Sequence, residues 1–467
     1  MGDAPKKSLG LLDATLLVAG SMIGSGIFIV SSLMLNDIGS PAWMLLLWII
    51  TGIITILAAL SYGELAGMMP NAGGQYVYIQ RAYGRLLSFL YGWTVFTVIQ
   101  SGVIAAVAVA FATYTAVFIP ELNYVLLDLS FVEITYANLV AIGSILLLTY
   151  SNTLGLQNGK IIQFLFTSAK LFALFALILL GIYFGFHSSV FELNLSNPWN
   201  AFQTLRDDSG NITGTNSLAG WALIGALGTT IINALFSADA WNNVTFIAGE
   251  IRNPQKNIPR SLFFGTLIVT VIYVLANLAY LMLLPNESII NAPSNRVGAA
   301  AAEVIFGPTG GLIMAGLIMI STFGCNNGLI LAGSRLYQAM ANDGLFLKEA
   351  GQVNRHGTPS VALWVQCLWA SLLCLSGTYG DLLTYSTFAS LLFYIITIYG
   401  IFRLRKKEPD THRPYRAFGY PILPALYLLV ALIICGILLI YRPENTLLGI
   451  GIVLLGIPFY LFLNKQQ

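Results

Sequence analysis

The sequence predicts an all-α membrane protein that crosses the bilayer many times. Three observations predict it. Of the 467 residues 57% are hydrophobic and only 9% charged, apolar runs of spanning length recur twelve times, and the positive charges fall to one side of them. A water-soluble domain carries about 25% charged residues to cover its surface, so a chain with so few must place much of its surface in lipid. The 22 Lys and Arg against 20 Asp and Glu leave a net charge of +2, too balanced for a nucleic-acid partner. Four cysteines, Cys325, Cys367, Cys374 and Cys435, lie inside apolar runs, and no disulfide framework is expected.

Crossing about 30 Å of hydrocarbon at about 1.5 Å per residue takes about 20 residues. Runs of that kind fall near 12–36, 41–68, 84–118, 137–152, 158–186, 219–250, 260–284, 298–341, 360–377, 381–402, 420–441 and 445–464. The first follows Lys6 and Lys7, but its glycines and the spans directly after it distinguish it from a cleaved signal sequence. Twelve transmembrane helices put both termini on one side. With N- and C-termini cytoplasmic, 18 of the 22 Lys and Arg fall in cytoplasmic segments, only Arg206, Arg296 and Arg442 fall outside, and Lys170 is left within a span. The long outer loop, 187–218, holds Asn211-Ile212-Thr213, one of three such triplets, which arise by chance and carry little weight.

Interruptions are more informative than the runs, because backbone that leaves the helix in hydrocarbon exposes unpaired N–H and C=O groups at several kcal/mol each unless a cavity or ligand satisfies them. Span 1 carries three glycines and two serines over Gly20–Phe28, unwinding near 22–27. Span 6 carries a polar island with a carboxylate over Phe236–Asn243. For span 1 the competing reading is a packing face made of Gly20, Gly24 and Gly26. For span 6 it fails, since Asp239 and two asparagines do more than make room. Each interrupted span opens a set of five, and odd-numbered sets insert in opposite orientations. The organisation expected is therefore an N-terminal inverted repeat over 1–186, the outer loop 187–218, a second repeat over 219–402, and two further spans with a short cytoplasmic tail over 403–467, with a transport site at the repeat interface.

The run GSMIGSGIF (20–28), FSADAWNN (236–243) followed by Glu250 and NPQKNIPR (253–260), GGQYVYIQRAYG (73–84), FGCNNG with SRLYQAMANDG (323–344) and RPYRAFGYPILP (413–424) carry a resemblance. The chain resembles the amino acid, polyamine and organocation transporter superfamily, and within it is most similar to the L-type amino acid transporter group and its bacterial relatives. The likeness covers essentially the whole chain. It implies the LeuT-type fold, five plus five inverted spans with two more at the end, and a sodium-independent L-amino acid exchanger working by alternating access.

A zwitterionic substrate needs two opposite electrostatic surfaces, and a broken helix supplies free N–H groups for the carboxylate and free carbonyls for the ammonium. By resemblance, Ser25, Gly26 and Ile27 hold the carboxylate, and carbonyls at Met22, Ile23 and Phe236 hold the ammonium. Glycine at Gly24 and Gly26 lets the backbone approach without a Cβ. Phe236 matches the aromatic that caps the substrate, against ordinary core packing. Trp241, Asn242 and Asn243 shape a side-chain pocket with Phe393 and Tyr394. Asp239 is a counter-charge for cationic substrates, a proton-sensitive acid, or a structural carboxylate capping a half-helix.

Lys170 lies near mid-span, too far from either face to snorkel, where an unpaired charge is expensive. By resemblance its ammonium occupies the region where sodium-coupled relatives bind the ion, and bridges span 5 to span 1. The matching stretch of span 8, Phe323–Gly333, has no Ser or Thr to ligate sodium. Where close relatives offer a hydroxyl this chain has Leu329, so the expected partners are the Gly24 carbonyl and polar atoms near Cys325 or Asn326. The alternative is that Lys170 gives up its proton during the cycle, because burial disfavours an ammonium, which makes the protein a proton-coupled symporter.

Glu64, Arg81, Glu250, Arg252, Lys256, Arg260, Arg335 and Asp343 lie at inner helix ends and form either an inner gate's salt links or a solvated face. Glu303 begins span 8. His187, His356 and His412 have no spaced partners for a metal, and no cofactor is expected. An enzyme lacks its motifs here, and a channel would need a filter or charged ring. The loop Pro120–Tyr136 has no cysteine, so no disulfide-linked heavy subunit is expected; with the short termini this points to a lone subunit in a bacterial inner membrane.

Overall fold

A computed structural model of the chain describes residues 9–70, 73–129, 132–207, 210–375 and 379–465, so Lys6 and Lys7 lie outside it. Helices α1 (Leu11–Met22) and α2 (Gly26–Ile38) together occupy the first apolar run. Gly39 ends α2 in the left-handed region (φ 58°), its N–H returning 2.8 Å to the Leu35 carbonyl, and Ser40 caps α3 (Pro41–Met68) by accepting from the Trp43 N–H at 3.2 Å. The chain continues through α4 (Gln75–Tyr83), α5 (Arg85–Thr94), one π-helical turn (Val95–Ile99) and α6 (Gln100–Thr115), and then α7 (Tyr136–Thr153), α8 (Leu156–Gly185) and α9 (Val190–Asn194). Beyond them lie α10 (Gly220–Ser237), two 3₁₀ turns (Trp241–Thr245, Ala248–Glu250), α11 (Pro254–Leu283), α12 (Asn286–Ile290), α13 (Val297–Phe306), α14 (Pro308–Asn342), α15 (Ser360–Leu373), α16 (Tyr379–Lys407), α17 (Ile422–Tyr441) and α18 (Pro443–Lys465).

Among the described residues ten segments are long and apolar enough to cross a membrane. Helices α7 and α15 sit where the fourth and ninth expected spans fall, and neither is among those ten. The protein is thus a mostly helical, multi-pass membrane protein, with outward-facing leucines and isoleucines such as Leu429, Leu432, Ile433, Leu454 and Leu455 along α17 and α18.

Four expectations need correction. The apolar run 298–341 is two helices, because Gly307 adopts φ 69° and Pro308 starts α14 at its first turn. Glu303 therefore sits inside α13 and begins no span. The run near 260–284 starts earlier, at Pro254, for the same N-terminal preference of proline. An all-α chain also proves too strict: Val125–Leu129 pairs antiparallel with Val132–Thr135, and Phe202–Arg206 with Ile212–Ser217, as short hairpins in the connections between helices.

The interrupted pair sits centrally. Helix α1 packs on α11 and α14, α2 on α10, α11 on α3 and α8, and α14 on α6 and α8. All four cysteines are free and buried.

Candidate functional site

Helix α1 is regular up to the Ile23 N–H, which donates to the Ala19 carbonyl at 2.9 Å. In an unbroken helix the carbonyls of Gly20, Ser21, Met22 and Ile23 would accept from Gly24, Ser25, Gly26 and Ile27. Instead the Gly24 N–H turns back to the Met22 carbonyl at 2.9 Å, and the ladder stops. The four orphaned carbonyls all find other donors. The Lys170 ammonium donates to the Gly20 carbonyl and, at 2.6 Å, to that of Ile23. The Cys325 thiol donates to Ser21 at 3.3 Å, and the Tyr273 hydroxyl to Met22 at 2.9 Å. Lys170 is 0% exposed. Its partner in the break is Ile23, one residue before the expected Gly24, because Gly20 and Ile23 lie three apart on one helix face and both lose their ladder donors.

The other side of the break is different. Ser25 precedes α2 with helical backbone angles, and the Phe28 N–H closes a tight turn on the Ser25 carbonyl at 3.0 Å. Among the described residues the amide groups of Gly26 and Ile27 have no acceptor. The carbonyl end of the break is satisfied by the protein, while its amide end retains free donors at a helix N-terminus, where the dipole favours an anion.

Span 6 breaks at the end of α10. The Asp239 N–H donates to the Phe236 carbonyl at 3.1 Å, and Ala240 is forced to φ 64°, a conformation costly for a residue with a Cβ. The Tyr273 hydroxyl also lies 2.9 Å from the Ser237 carbonyl, so its one proton is shared between Met22 and Ser237 and ties this break to that of span 1. The two breaks also touch: a Cβ at Gly26 would lie 2.1 Å from Ser237 Oγ, and one at Gly24 3.1 Å from Cys325 Sγ. Both glycines therefore make room for neighbouring protein.

Asp239 stands between two cavities. Its carboxylate accepts from the Tyr394 hydroxyl at 2.5 Å and from Ser390 at 3.1 Å, and Asp239, Ser390 and Tyr394 line both spaces. One is mostly apolar, with Val95, Ile99, Val103 and Phe393 in its wall, but also carries the amides of Gln75, Gln100, Asn242 and Asn243. The other is more apolar still, bordered by Ile54, Ala58, Leu235, Trp241 and Tyr427. Of the residues singled out from sequence as substrate-binding, Asp239 and Asn242 line the first cavity, whereas Met22, Ile23, Gly24, Ser25, Gly26, Ile27 and Phe236 line neither. Phe236 is buried, and Trp241 packs edge-on against Tyr62 at 4.8 Å in the wall of the second cavity.

Several helix ends singled out from sequence carry ion pairs. Arg335 meets Glu250 at 3.2 Å, and buried Glu64 receives Arg405 at 2.6 Å, Arg413 at 3.2 Å and the Ala417 N–H at 2.7 Å. Arg81 meets Glu408 at 2.6 Å, and its hydrogen bond holds that carboxyl below the ordinary carboxylate range. The Asp343 carboxylate accepts from Tyr76 and Gln80, and its backbone carbonyl accepts from Arg85 at 2.9 Å. Tyr273, Ser390 and the Arg405–Arg413 pair escaped the sequence reading. Nothing marks Tyr273 among 22 tyrosines, though its place on α11 opposite two helix ends gives it a structural role. No group of three or more His, Cys, Asp or Glu able to hold a metal occurs among the described residues.

Apolar helices interrupted at a shared buried point, with charged and polar side chains converging on the interruption, define a membrane transport protein. The chain belongs to the amino acid permease family, whose pattern it matches over residues 9–460. It is 32% identical over 463 residues to the large neutral amino acids transporter small subunit 2 of Mus musculus, covering 98% of this chain and 81% of that one. It is 29% identical over 465 residues to a serine/threonine exchanger of Bacillus subtilis (strain 168), covering 99% and 98%. It is also 29% identical over 461 residues to the Asc-type amino acid transporter 1 of Mus musculus, covering 98% and 81%.

Proposed function

We propose that the protein is a sodium-independent exchanger of L-amino acids working by alternating access, with twelve spans in a five-plus-five inverted repeat followed by two. One observation carries this reading. The carbonyl end of the span 1 break, where a coupling cation would bind, is occupied by the Lys170 ammonium on Gly20 and Ile23, while the amide end at Gly26 and Ile27 retains unpaired donors. A fixed internal cation replaces a bound one, and the open amides suit a carboxylate. The substrate carboxylate is assigned to Ser25, Gly26 and Ile27. Its ammonium is assigned to the Met22, Ile23 and Phe236 carbonyls, shared with the protein donors already on them, with Gly24 at the turn and Asp239 and Asn242 toward the side chain.

The names of the relatives support amino acids as cargo, and the bacterial exchanger, matched over nearly its whole length, supports exchange. The positions of α7 and α15, fourth and ninth in order, support corresponding places in two repeats. The mammalian relative is named a small subunit. With no cysteine in Pro120–Tyr136, we read this chain as working without a disulfide-linked partner, in a bacterial inner membrane with both termini cytoplasmic.

Counterflow in proteoliposomes tests the reading. Exchange predicts that preloaded labelled amino acid leaves only when unlabelled amino acid is outside, equally in sodium and in potassium buffer. Accumulation driven by an imposed pH gradient without counter-substrate would replace exchange by proton-coupled symport.

A further inference from the structure

We propose that the hairpin between α6 and α7 is seated in lipid, with its apolar stem in the boundary between headgroups and acyl chains and its acidic end in water. The inference goes beyond the exchange reading and does not depend on it. The hairpin, Val125–Leu129 paired with Val132–Thr135, follows the spanning segment that ends at Thr115 and leads directly into α7 at Tyr136. Its root therefore lies at the membrane surface, closed by the Tyr136 N–H on the Tyr124 carbonyl at 3.3 Å. In the stem Tyr124, Val125, Leu126 and Leu127 are 65, 50, 46 and 49% exposed, a run of large apolar side chains that is costly to leave in water. The exposed apolar row continues on α7 with Leu139, Leu146 and Leu147.

Register decides what covers the stem. Val125 pairs with Thr135 and Leu127 with Ile134, the ladder shifting at Leu126. Thr135 and Ile134 are consecutive and point to opposite faces, so their partners Val125 and Leu127 do as well. Both faces are apolar and exposed. A second copy of the chain or another protein covers one face, whereas a surrounding lipid layer covers both. Immersion has a limit, because in a two-stranded sheet each strand keeps one unpaired edge whose N–H and C=O groups need water or headgroups. The stem accordingly belongs in the boundary and not in the hydrocarbon, as do the amphipathic rings of Tyr124 and Tyr136. The far end differs: Asp128 stands directly across from Glu133, and both are exposed. Like charges facing across a ladder repel, a cost that water and salt screen and lipid does not. The hairpin is amphipathic along its length rather than across its faces.

The test attaches an environment-sensitive fluorophore to Val125→Cys, Leu127→Cys or Asp128→Cys in the full chain, reconstituted in phosphatidylcholine vesicles. Emission is read with iodide in the buffer and, separately, with a doxyl quencher carried high on the lipid acyl chain. The unaltered protein, whose four cysteines are buried, gives the background labelling. Labels at Val125 and Leu127 are expected to emit at shorter wavelength than the label at Asp128, to lose emission to the lipid quencher and to be spared by iodide. The label at Asp128 is expected to show the reverse, and its loss to iodide sets the fraction of label that faces the bath. Iodide quenching of both stem labels to the extent seen at Asp128 overturns the inference by placing the stem in water. Lipid quenching at only one of the two stem positions overturns it in favour of a protein on the other face. Lipid quenching at Asp128 overturns the division along the hairpin. None of these results touches the exchange reading, which counterflow in the same vesicles tests separately.

Discussion

Replacing Lys170 by methionine keeps the length of the side chain and deletes its charge. In the native protein the ammonium satisfies the carbonyls of Gly20 and Ile23, and it is fully buried. Its loss leaves two buried carbonyls without donors, at about 1–3 kcal/mol each, or roughly 2–6 kcal/mol together. Burying an ammonium costs several kcal/mol even when it is well paired, and that penalty disappears in the variant. The two terms nearly offset, so Lys170→Met is expected to insert and elute as a single species with its thermal midpoint little changed. Function behaves differently, because the negative end of α1 is then unneutralised where span 1 must hold a defined bend. A misplacement of about 3 kcal/mol in the transport-competent state corresponds to a loss of about a hundredfold in exchange rate. Sodium is not expected to rescue it, since the facing stretch Phe323–Gly333 offers no hydroxyl ligand. Initial counterflow rates at matched reconstitution, with and without sodium, decide the matter. Native exchange in sodium-free buffer by a well-folded Lys170→Met protein would refute the internal-cation mechanism.

At Gly26 an added Cβ would lie 2.1, 2.7 and 3.0 Å from the Oγ, Cβ and Cα of Ser237. Gly26→Ala should therefore destabilise by about 1–3 kcal/mol, and adding Ser237→Gly should recover most of it in thermal unfolding; no recovery would mean the contact is misassigned. Glu64→Gln leaves Arg405 and Arg413 without their carboxylate at a site 1% exposed, and should lower stability by about 3 kcal/mol, read by scanning fluorimetry in detergent. An unchanged midpoint would show that the two arginines are held by other contacts. The Glu408 carboxyl is held below its ordinary value of 4.5, so its pairing with Arg81 contributes above that pH and is lost as pH falls below it. The stability difference between the native protein and Arg81→Gln should accordingly shrink on acidification from about pH 7 to pH 3, and a constant difference would contradict the pairing.

Much of the architecture is legible in the sequence because hydrocarbon imposes a blunt rule on it: every spanning segment must be long, apolar and helical. The two breaks are legible for the converse reason, since Gly20–Phe28 and Phe236–Asn243 place small or polar residues where lipid tolerates neither. What escapes is direction. The sequence shows that Gly24 and Gly26 lack a Cβ, but not which way the missing atom would point, and in the structure both face protein, toward Cys325 and Ser237. The same limit displaced the partner of Lys170 from Gly24 to Ile23 and hid Tyr273, whose role depends on two helix ends being brought together. The division of 298–341 at Gly307–Pro308 was masked by apolar residues on both sides of the turn.

The two halves of the span 1 break are not chemical mirror images, and that asymmetry bears on how the proposed cycle is driven. Protein donors fill every orphaned carbonyl of α1, from Gly20 to Ile23, so no external cation is needed to hold the first half-helix in its broken form. The donors of α2 at Gly26 and Ile27 have no such provision. A ligand carboxylate would complete the second end only, and would do so beside Ser237, whose carbonyl shares the Tyr273 hydroxyl with Met22. Occupancy at Gly26 would thereby be felt directly at the span 6 break, without a distant relay. A carrier whose empty site leaves amides unsatisfied in a low-dielectric interior has an unfavourable empty state to cross. One whose site is refilled before it returns avoids that cost, which is the energetic condition for exchange in preference to net transport.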